Sequence, residues 1–324
     1  MDNHTPMQKG PMPLKIVSLC PSNTELLAYL GRLDDVAAVD DSSDWPPEVK
    51  QLPNVGPDLH IDMDRVEALK PDLVVASLSV PGMERNVEEL KRRGLPHLVL
   101  ASNSLEDIAN DLLQLGEALG ETKKAADLVR RYRAFLSEYR ERAATVAEPA
   151  RLYWEWWPRP IFTPGGANWL SELSELAGGH NVFADLPEAS VQTEWEDVVA
   201  RNPSHVLLVW VGVQTKNMNA NAVIARPHAD KTEAVRAGRI HVLEEALYCR
   251  PSPRLLVGLK NCRRFCIRRC FLPLTTAIRS LAADGREPSF NFSIPNIAAG
   301  TLASFHPRST ASILPPTACR PLFG

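Results

Sequence analysis

The chain has 324 residues, more than one typical domain, and 44% of them are hydrophobic, enough to bury two cores. Its 36 basic and 39 acidic residues leave a formal charge of -3, which offers no basic footprint for nucleic acid or an anionic membrane. No stretch reaches the roughly 20 apolar residues that cross a bilayer, so two domains and a neutral or mixed-charge partner are the starting expectation.

Residues 1–13 are polar and broken by proline, and they read as a disordered start. A secretory signal, with a cationic start and roughly 7–15 apolar residues, is not visible there. Val17-Ser18-Leu19-Cys20 resembles a lipoprotein cleavage site only loosely, because Leu19 is bulky and the apolar run is short. Leu14–Cys20 reads instead as a buried strand. Ser22 with Glu25 three residues later reads as a capping box opening a helix that Gly31 ends. Short apolar runs at Val36–Val39, Leu73–Ala76 and Leu95–Leu100 predict further strands, with helices near 62–69, 83–93 and 105–119 between them. Residues 14–119 thus form a first α/β lobe.

Over 120–148 the pattern is helical without a break, with Ala125, Leu128, Val129, Tyr132, Phe135, Leu136 and Tyr139 on one stripe. At 1.5 Å per residue such a helix spans about 40 Å, enough to join two domains. The stripe is too short for a sustained coiled coil, and Pro149 stops it. Alternation then resumes through strands at Arg151–Trp157, His205–Trp210 and Ile240–Leu243, with helices near 168–177, 194–201 and 252–259, so residues 149–260 form a second lobe. The fold class expected is α/β: two Rossmann-like lobes joined by one long helix. Asp64-Arg65-Val66-x-Ala68-x-x-Pro71-x-x-Val74 returns 132 residues later as Glu196-Asp197-Val198-x-Ala200-x-x-Pro203-x-x-Val206. The repeat follows from building two similar lobes, and its leading acids suit a helix first turn. One exposed carboxylate per lobe also suits docking onto a two-fold partner.

Residues 261–324 change character. After Gly258 nine basic residues face only Asp284 and Glu287, and periodicity fades into a stretch rich in Pro, Ser, Thr and Ala. Four of the six cysteines, Cys262, Cys266, Cys270 and Cys319, lie there, the first three in a C-x3-C-x3-C run unlike the spacing of known metal sites. Disorder is expected, either as a natural extension or from a frameshift near codons 258–262, which an uninterrupted reading frame would exclude.

Ile16-Val17-Ser18-Leu19-Cys20-Pro21-Ser22-Asn23-Thr24-Glu25, Ala38-Val39-Asp40-Asp41-Ser42-Ser43-Asp44-Trp45-Pro46, Val55-Gly56 and Leu69-Lys70-Pro71-Asp72-Leu73-Val74 resemble, in order and spacing, the first lobe of cobalamin-binding periplasmic receptors. Arg250-Pro251-Ser252-Pro253-Arg254 is similar to that family's closing motif. The resemblance covers about residues 14–260 and implies a class III periplasmic-binding-protein fold, in which a ligand sits between lobes that move little. It implies a substrate-binding component of an ABC importer, with cobalamin or another corrinoid as transported ligand and no catalytic cofactor. It further implies that Asp64 and Glu196 dock onto arginines of the permease. Periplasmic or cell-surface location is implied as well; without a visible signal, a cytoplasmic relative stays open. A monomer is expected.

A corrinoid, a large and mostly neutral ring with amide arms, wants aromatic walls and a hydrogen-bonding rim. The candidates are Trp45 in its Asp-Ser loop, Trp154 and Trp156 on one face of a strand, Phe162, Trp210 and Arg250, with Gly165 and Gly166 allowing close backbone approach. Core packing is the competing reading for each strand aromatic. A haem, iron-siderophore or metal receptor of the same fold is the alternative, since His60, His180 and His228 sit in loops. A corrinoid-modifying enzyme is more distant, because no G-x-S-x-G, H-E-x-x-H, G-x-x-x-x-G-K-[ST] or G-x-G-x-x-G occurs.

Overall fold

The computed structural model describes residues 14–267, in which the α/β alternation becomes two parallel sheets. In the first, β1 (Ile16–Ser18), β2 (Val36–Val39), β3 (Leu73–Ser77) and β4 (His97–Leu100) lie in the order β2-β1-β3-β4, every pairing parallel. The helices α1 (Pro21–Tyr29), α2 (Met63–Ala68), α3 (Glu84–Arg92) and α4 (Leu105–Ala118) connect and cover them. Such strands are apolar on both faces because helices cover both, and Ile16, Val17, Val74 and Val75 are fully buried.

α1 begins differently from the expectation. Its cap is Cys20, which makes no side-chain cap bond, and Pro21 occupies the first turn, where no amide hydrogen is needed. Ser22 Oγ lies 3.2 Å from Cys20 Sγ, and Glu25 bonds elsewhere, so the expected capping box is absent. A true capping box opens α4, where Ser104 and Asp107 satisfy each other's backbone amides.

The long helix α5 spans Thr122–Ala143, about 33 Å at 1.5 Å per residue. It is shorter than the expected 120–148, because the chain turns after Ala143 on its way to Pro149. All seven stripe residues are buried. α5 packs on α4 behind the first sheet and on α6 (Trp169–Leu176) of the second half. Gly116 lets α4 approach closely, since a Cβ there would collide with Ala125 Cβ.

Beyond it, β5 (Ala150–Glu155) is followed by a hairpin, β6 (Trp157–Pro158) and β7 (Ile161–Pro164), and then by β8 (Gly179–Asn181), β9 (Ser190–Thr193), α7 (Trp195–Arg201) and β10 (His205–Leu208). The short helices α8 (Asn221–Ile224) and α9 (Glu233–Arg236) lead to β11 (Ile240–Val242) and α10 (Leu255–Cys266). The second parallel sheet has the order β11-β10-β5-β8. A small antiparallel sheet, β6-β7-β9, has no counterpart in the sequence expectation. Its prolines at 158, 160 and 164 read as turns, and such residues enter strands only at edges and short hairpins. The expected strand Arg151–Trp157 accordingly ends at Glu155.

The internal repeat maps onto α2-β3 and α7-β10, with Val66, Val74, Val198 and Val206 fully buried. It extends to backbone geometry: Lys70 and Asn202, each just before the repeated proline, are both left-handed, at φ 50° and 45°. A residue before proline is kept out of the right-handed helical region, so each helix stops by the same sharp turn into its strand.

The expected boundary at 260 falls inside α10. Leu255, Leu256, Leu259, Cys262 and Cys266 keep a buried helical face past it, packed on α6, and Phe265 stacks on His241 with ring centres 4.5 Å apart. The sulfurs of Cys262 and Cys266 are 3.9 Å apart. The rest of the expected tail, with Cys270 and Cys319, and the expected disordered start at 1–13 lie outside the described residues.

Candidate functional site

The loops at the carboxyl ends of strands in both sheets converge on one cleft of about 1160 Å³. The segments after β1, β2 and β3 supply Ser22, Asp40 to Asp44 and Ser79; those after β10 and β11 supply Val211 to Lys216 and Glu244 to Ala246. This is where open α/β sheets place ligands, because the strand ends and helix starts leave a crevice there.

The cleft is polar and acidic over an aliphatic floor. Val39, Val49, Leu52, Met83, Val211 and Val213 give apolar surface, while six carboxylates, at 40, 41, 44, 58, 244 and 245, share the lining with Lys50, Lys216 and Arg250. Asp40 accepts from Ser43 Oγ at 2.5 Å and from the Ser42 amide at 2.8 Å. Burial nevertheless pushes its carboxyl up to about 6, and the nearby Asp58 and Asp41 add to the rise. Burial also raises Asp58 and Glu245, and it pushes the Cys20 thiol at the cleft edge up to about 12.

A raised carboxyl favours the folded state most when protonated. Asp40 therefore contributes stability that is fully present below its unfolded value near 4 and is lost as pH rises through about 6. Relative to wild type, Asp40→Asn is expected to gain about 1 kcal/mol per pH unit between those values. Urea unfolding at intervals across that window checks this, and parallel stability curves for the two proteins would refute it.

Arg250 sits at the seam. It is buried, and its guanidinium meets Asp44 at 2.6 Å and Glu25 at 3.4 Å from the first half and Glu245 at 3.2 Å from the second. Burial opposes its charge, but Glu245, Asp44 and Glu25 hold its proton more tightly than usual. Glu25, fully buried on α1, also accepts from Arg254 at 2.6 Å and from Ser252 Oγ. Burial pushes the Glu25 carboxyl up against the opposing pull of Arg254, Ser252 and Arg250. One carboxylate of the first half thus holds three side chains of the second.

Of the eight residues expected at a ligand, only Arg250 lines the cleft. Trp154 is fully buried, its ring tilted against Tyr248 at 5.4 Å between centres and its indole N–H donating to Ser174 Oγ at 2.9 Å, so it has no surface for a ligand. Trp210 donates to the buried Glu155 at 3.0 Å and packs on the second core. Trp156 is half-buried, and Phe162 pairs with Trp157 across the β6-β7 hairpin; neither reaches the cleft. Gly165 and Gly166 admit a neighbouring loop: the Gly166 amide donates to Leu186 O at 2.6 Å, and a Cβ there would sit 2.7 Å from the Ala184 carbonyl oxygen. Trp45 lies between Tyr29, at 5.4 Å between ring centres, and the Arg254 guanidinium, at 4.9 Å, and so belongs to the seam.

The residues missed are the acids of the cleft. Their signal was present, since Asp40-Asp41-Ser42-Ser43-Asp44 and Glu244-Glu245 each follow an apolar strand directly. The expected docking acids stand in the first turns of α2 and α7, both exposed. Asp64, 86% exposed, pairs with Arg93 at 2.7 Å.

Two parallel α/β halves, one bridging helix and a cleft between strand ends define a bilobal architecture with a ligand-sized crevice. The sequence matches the periplasmic binding protein family over residues 16–247. The chain belongs to that family, and it is an ABC-transporter substrate-binding protein with the class III fold. It is 32% identical to the uncharacterized ABC transporter substrate-binding lipoprotein YvrC of Bacillus subtilis, over 77% of this chain and 78% of that one. It is 30% identical to a vitamin B12-binding protein of Vibrio parahaemolyticus, over 78% and 89%. The periplasmic vitamin B12 binding protein BtuF of Vibrio cholerae superposes with a TM-score of 0.66 at 25% identity, covering 79% of this chain and 97% of that one. The haem-complexed IsdE of Staphylococcus aureus shares the fold, with a TM-score of 0.70 at 17% identity over 79% and 99%. The resemblance to cobalamin-binding receptors is therefore borne out. Among the described residues, no helix is long and apolar enough to cross a membrane.

Proposed function

We propose that the protein is the receptor of a corrinoid importer, holding a cobalamin-type macrocycle in the cleft and presenting it to a permease from the periplasm or the cell surface. The observation that carries this reading is the cleft itself. At about 1160 Å³ it exceeds the roughly 300–1,000 Å³ that suits a drug-sized ligand. Its aliphatic floor fits a ring face, and its carboxylates and serines fit the amide arms, whose N–H groups donate. The relatives named for vitamin B12 support the same ligand. The described lining contains no histidine or tyrosine for haem iron; burial keeps the thiols of Cys20 and Cys249 protonated, which leaves the Met83 thioether as the remaining axial candidate, and the acids oppose haem's propionates. Asp64 and Glu196 are the proposed docking points, one exposed carboxylate on each repeat unit.

Isothermal titration of the full chain with cyanocobalamin should give saturable one-to-one binding, and haemin under the same conditions should not. Absence of corrinoid binding by a folded sample would sink the proposal. Charge reversal at both docking sites, Asp64→Lys with Glu196→Lys, should leave that affinity unchanged and abolish corrinoid uptake through the cognate importer. Normal uptake would remove the docking assignment.

A further inference from the structure

The charge of the cleft bears on which corrinoid it holds. Six carboxylates line it against three cationic side chains, an excess of three negative charges if all are ionised. Among the described residues no cation is ion-paired with Asp40, Asp41 or Asp58, although Arg250 is near enough to Asp58 to oppose the upward push of burial on its carboxyl. Arg250 is committed to Glu25, Asp44 and Glu245. The bonds to Asp40 come from Ser42 and Ser43, which carry no charge. Asp41 and Asp58 stand beside it, and the three carboxylates repel one another. Like charges gathered in a low-dielectric crevice focus a negative potential there. A cationic ligand would meet that potential favourably and a neutral one would not.

Corrinoids differ in this respect. Cobalt(III) in the singly charged corrin ring leaves two positive charges; each cyanide on the metal removes one, and so does the phosphate of the nucleotide arm. Cyanocobalamin and dicyanocobinamide are neutral, whereas aquocobalamin and aquocyanocobinamide are cations. Building on the corrinoid reading above, we infer that the acidic wall at Asp40, Asp41 and Asp58 selects corrinoids with a net positive charge, such as those with water in place of cyanide on cobalt, over neutral and anionic macrocycles.

Two matched pairs test this on the full chain: aquocobalamin against cyanocobalamin, and aquocyanocobinamide against dicyanocobinamide. At about 20 mM salt the cation of each pair should bind roughly tenfold or more tightly, and the gap should shrink severalfold at about 200 mM as screening grows. Asp41→Asn and Asp58→Asn should each narrow the gap within both pairs, whatever affinity the two members of a pair lose in common, and a gap that both variants leave at its full width would overturn charge selection. Equal affinities within each pair would overturn charge selection and leave the corrinoid receptor standing. A gap that ignores salt, or one accompanied by a shift of the corrin visible bands on binding, would assign the preference to coordination of cobalt by the protein and would equally overturn it. Binding of no corrinoid at all would sink the receptor reading, and charge selection with it.

Discussion

Replacing Glu25 with alanine is expected to destabilise the protein by about 3–5 kcal/mol, the cost of removing one member of a buried ion network and stranding the others. Glu25 has no exposed surface, and its carboxylate is shared by Arg254, Arg250 and Ser252. Arg250 would retain Asp44 and Glu245, whereas Arg254 would lose its carboxylate and keep its place over the Trp45 ring. These contacts join α1 to the segment before α10, so the loss should also loosen the seam that fixes the cleft. Urea unfolding followed by tryptophan fluorescence and by circular dichroism should show a lower midpoint, with the two probes separating as the halves uncouple. Glu25→Gln, which keeps an acceptor without the charge, should fall between wild type and the alanine variant. A change below about 1 kcal/mol, the range of an exposed pair, would refute the role assigned to this network.

Arg226→Ala should cost a similar amount, about 3–5 kcal/mol, for the converse reason: it leaves a carboxylate buried without its cation. Glu155, fully buried at the end of β5, is gripped by both terminal nitrogens of Arg226, at 2.6 and 2.9 Å, and by Tyr153 and Trp210 at 2.8 and 3.0 Å. Arg226 also lies over the Trp195 ring at 4.8 Å, so the residue ties three aromatic side chains of the second core together. Adding Glu155→Gln to the arginine change removes the unpaired charge and should recover at least half of the loss. If the double variant is no better than the single one, the cost lies in packing around Trp195 rather than in charge, and the ion-pair account fails. Equilibrium unfolding of the single and double variants at neutral pH decides between them.

Much of the architecture was legible because it depends on local periodicity. The apolar runs expected as strands at 14–20, 73–76 and 205–210 contain or overlap β1, β3 and β10, the seven-residue stripe marked the bridging helix α5, and the 132-residue repeat announced two like units. The small hairpin sheet was hidden because prolines mask short edge strands, and the helix past 260 because its buried cysteines do not look like an ordinary apolar face. The candidate site was read less well. Aromatic residues were expected to face a flat ligand, but whether an aromatic side chain points to the core or to a crevice depends on which face of its strand the second layer covers. No spacing in the chain records that. Trp154 and Trp210 went inward, while the acids after β2 and β11 went to the cleft. Glu25 looked like a helix cap because its natural partners, at 250, 252 and 254, are more than two hundred residues away. The sequence alone determined the fold class, through periodicity within each element, and pointed to the family, through the resemblance of the motifs at 16–25, 38–46 and 250–254. Only the tertiary structure decided the charge of the cleft and the lock at its seam, since both arise from side chains that meet when the two halves come together.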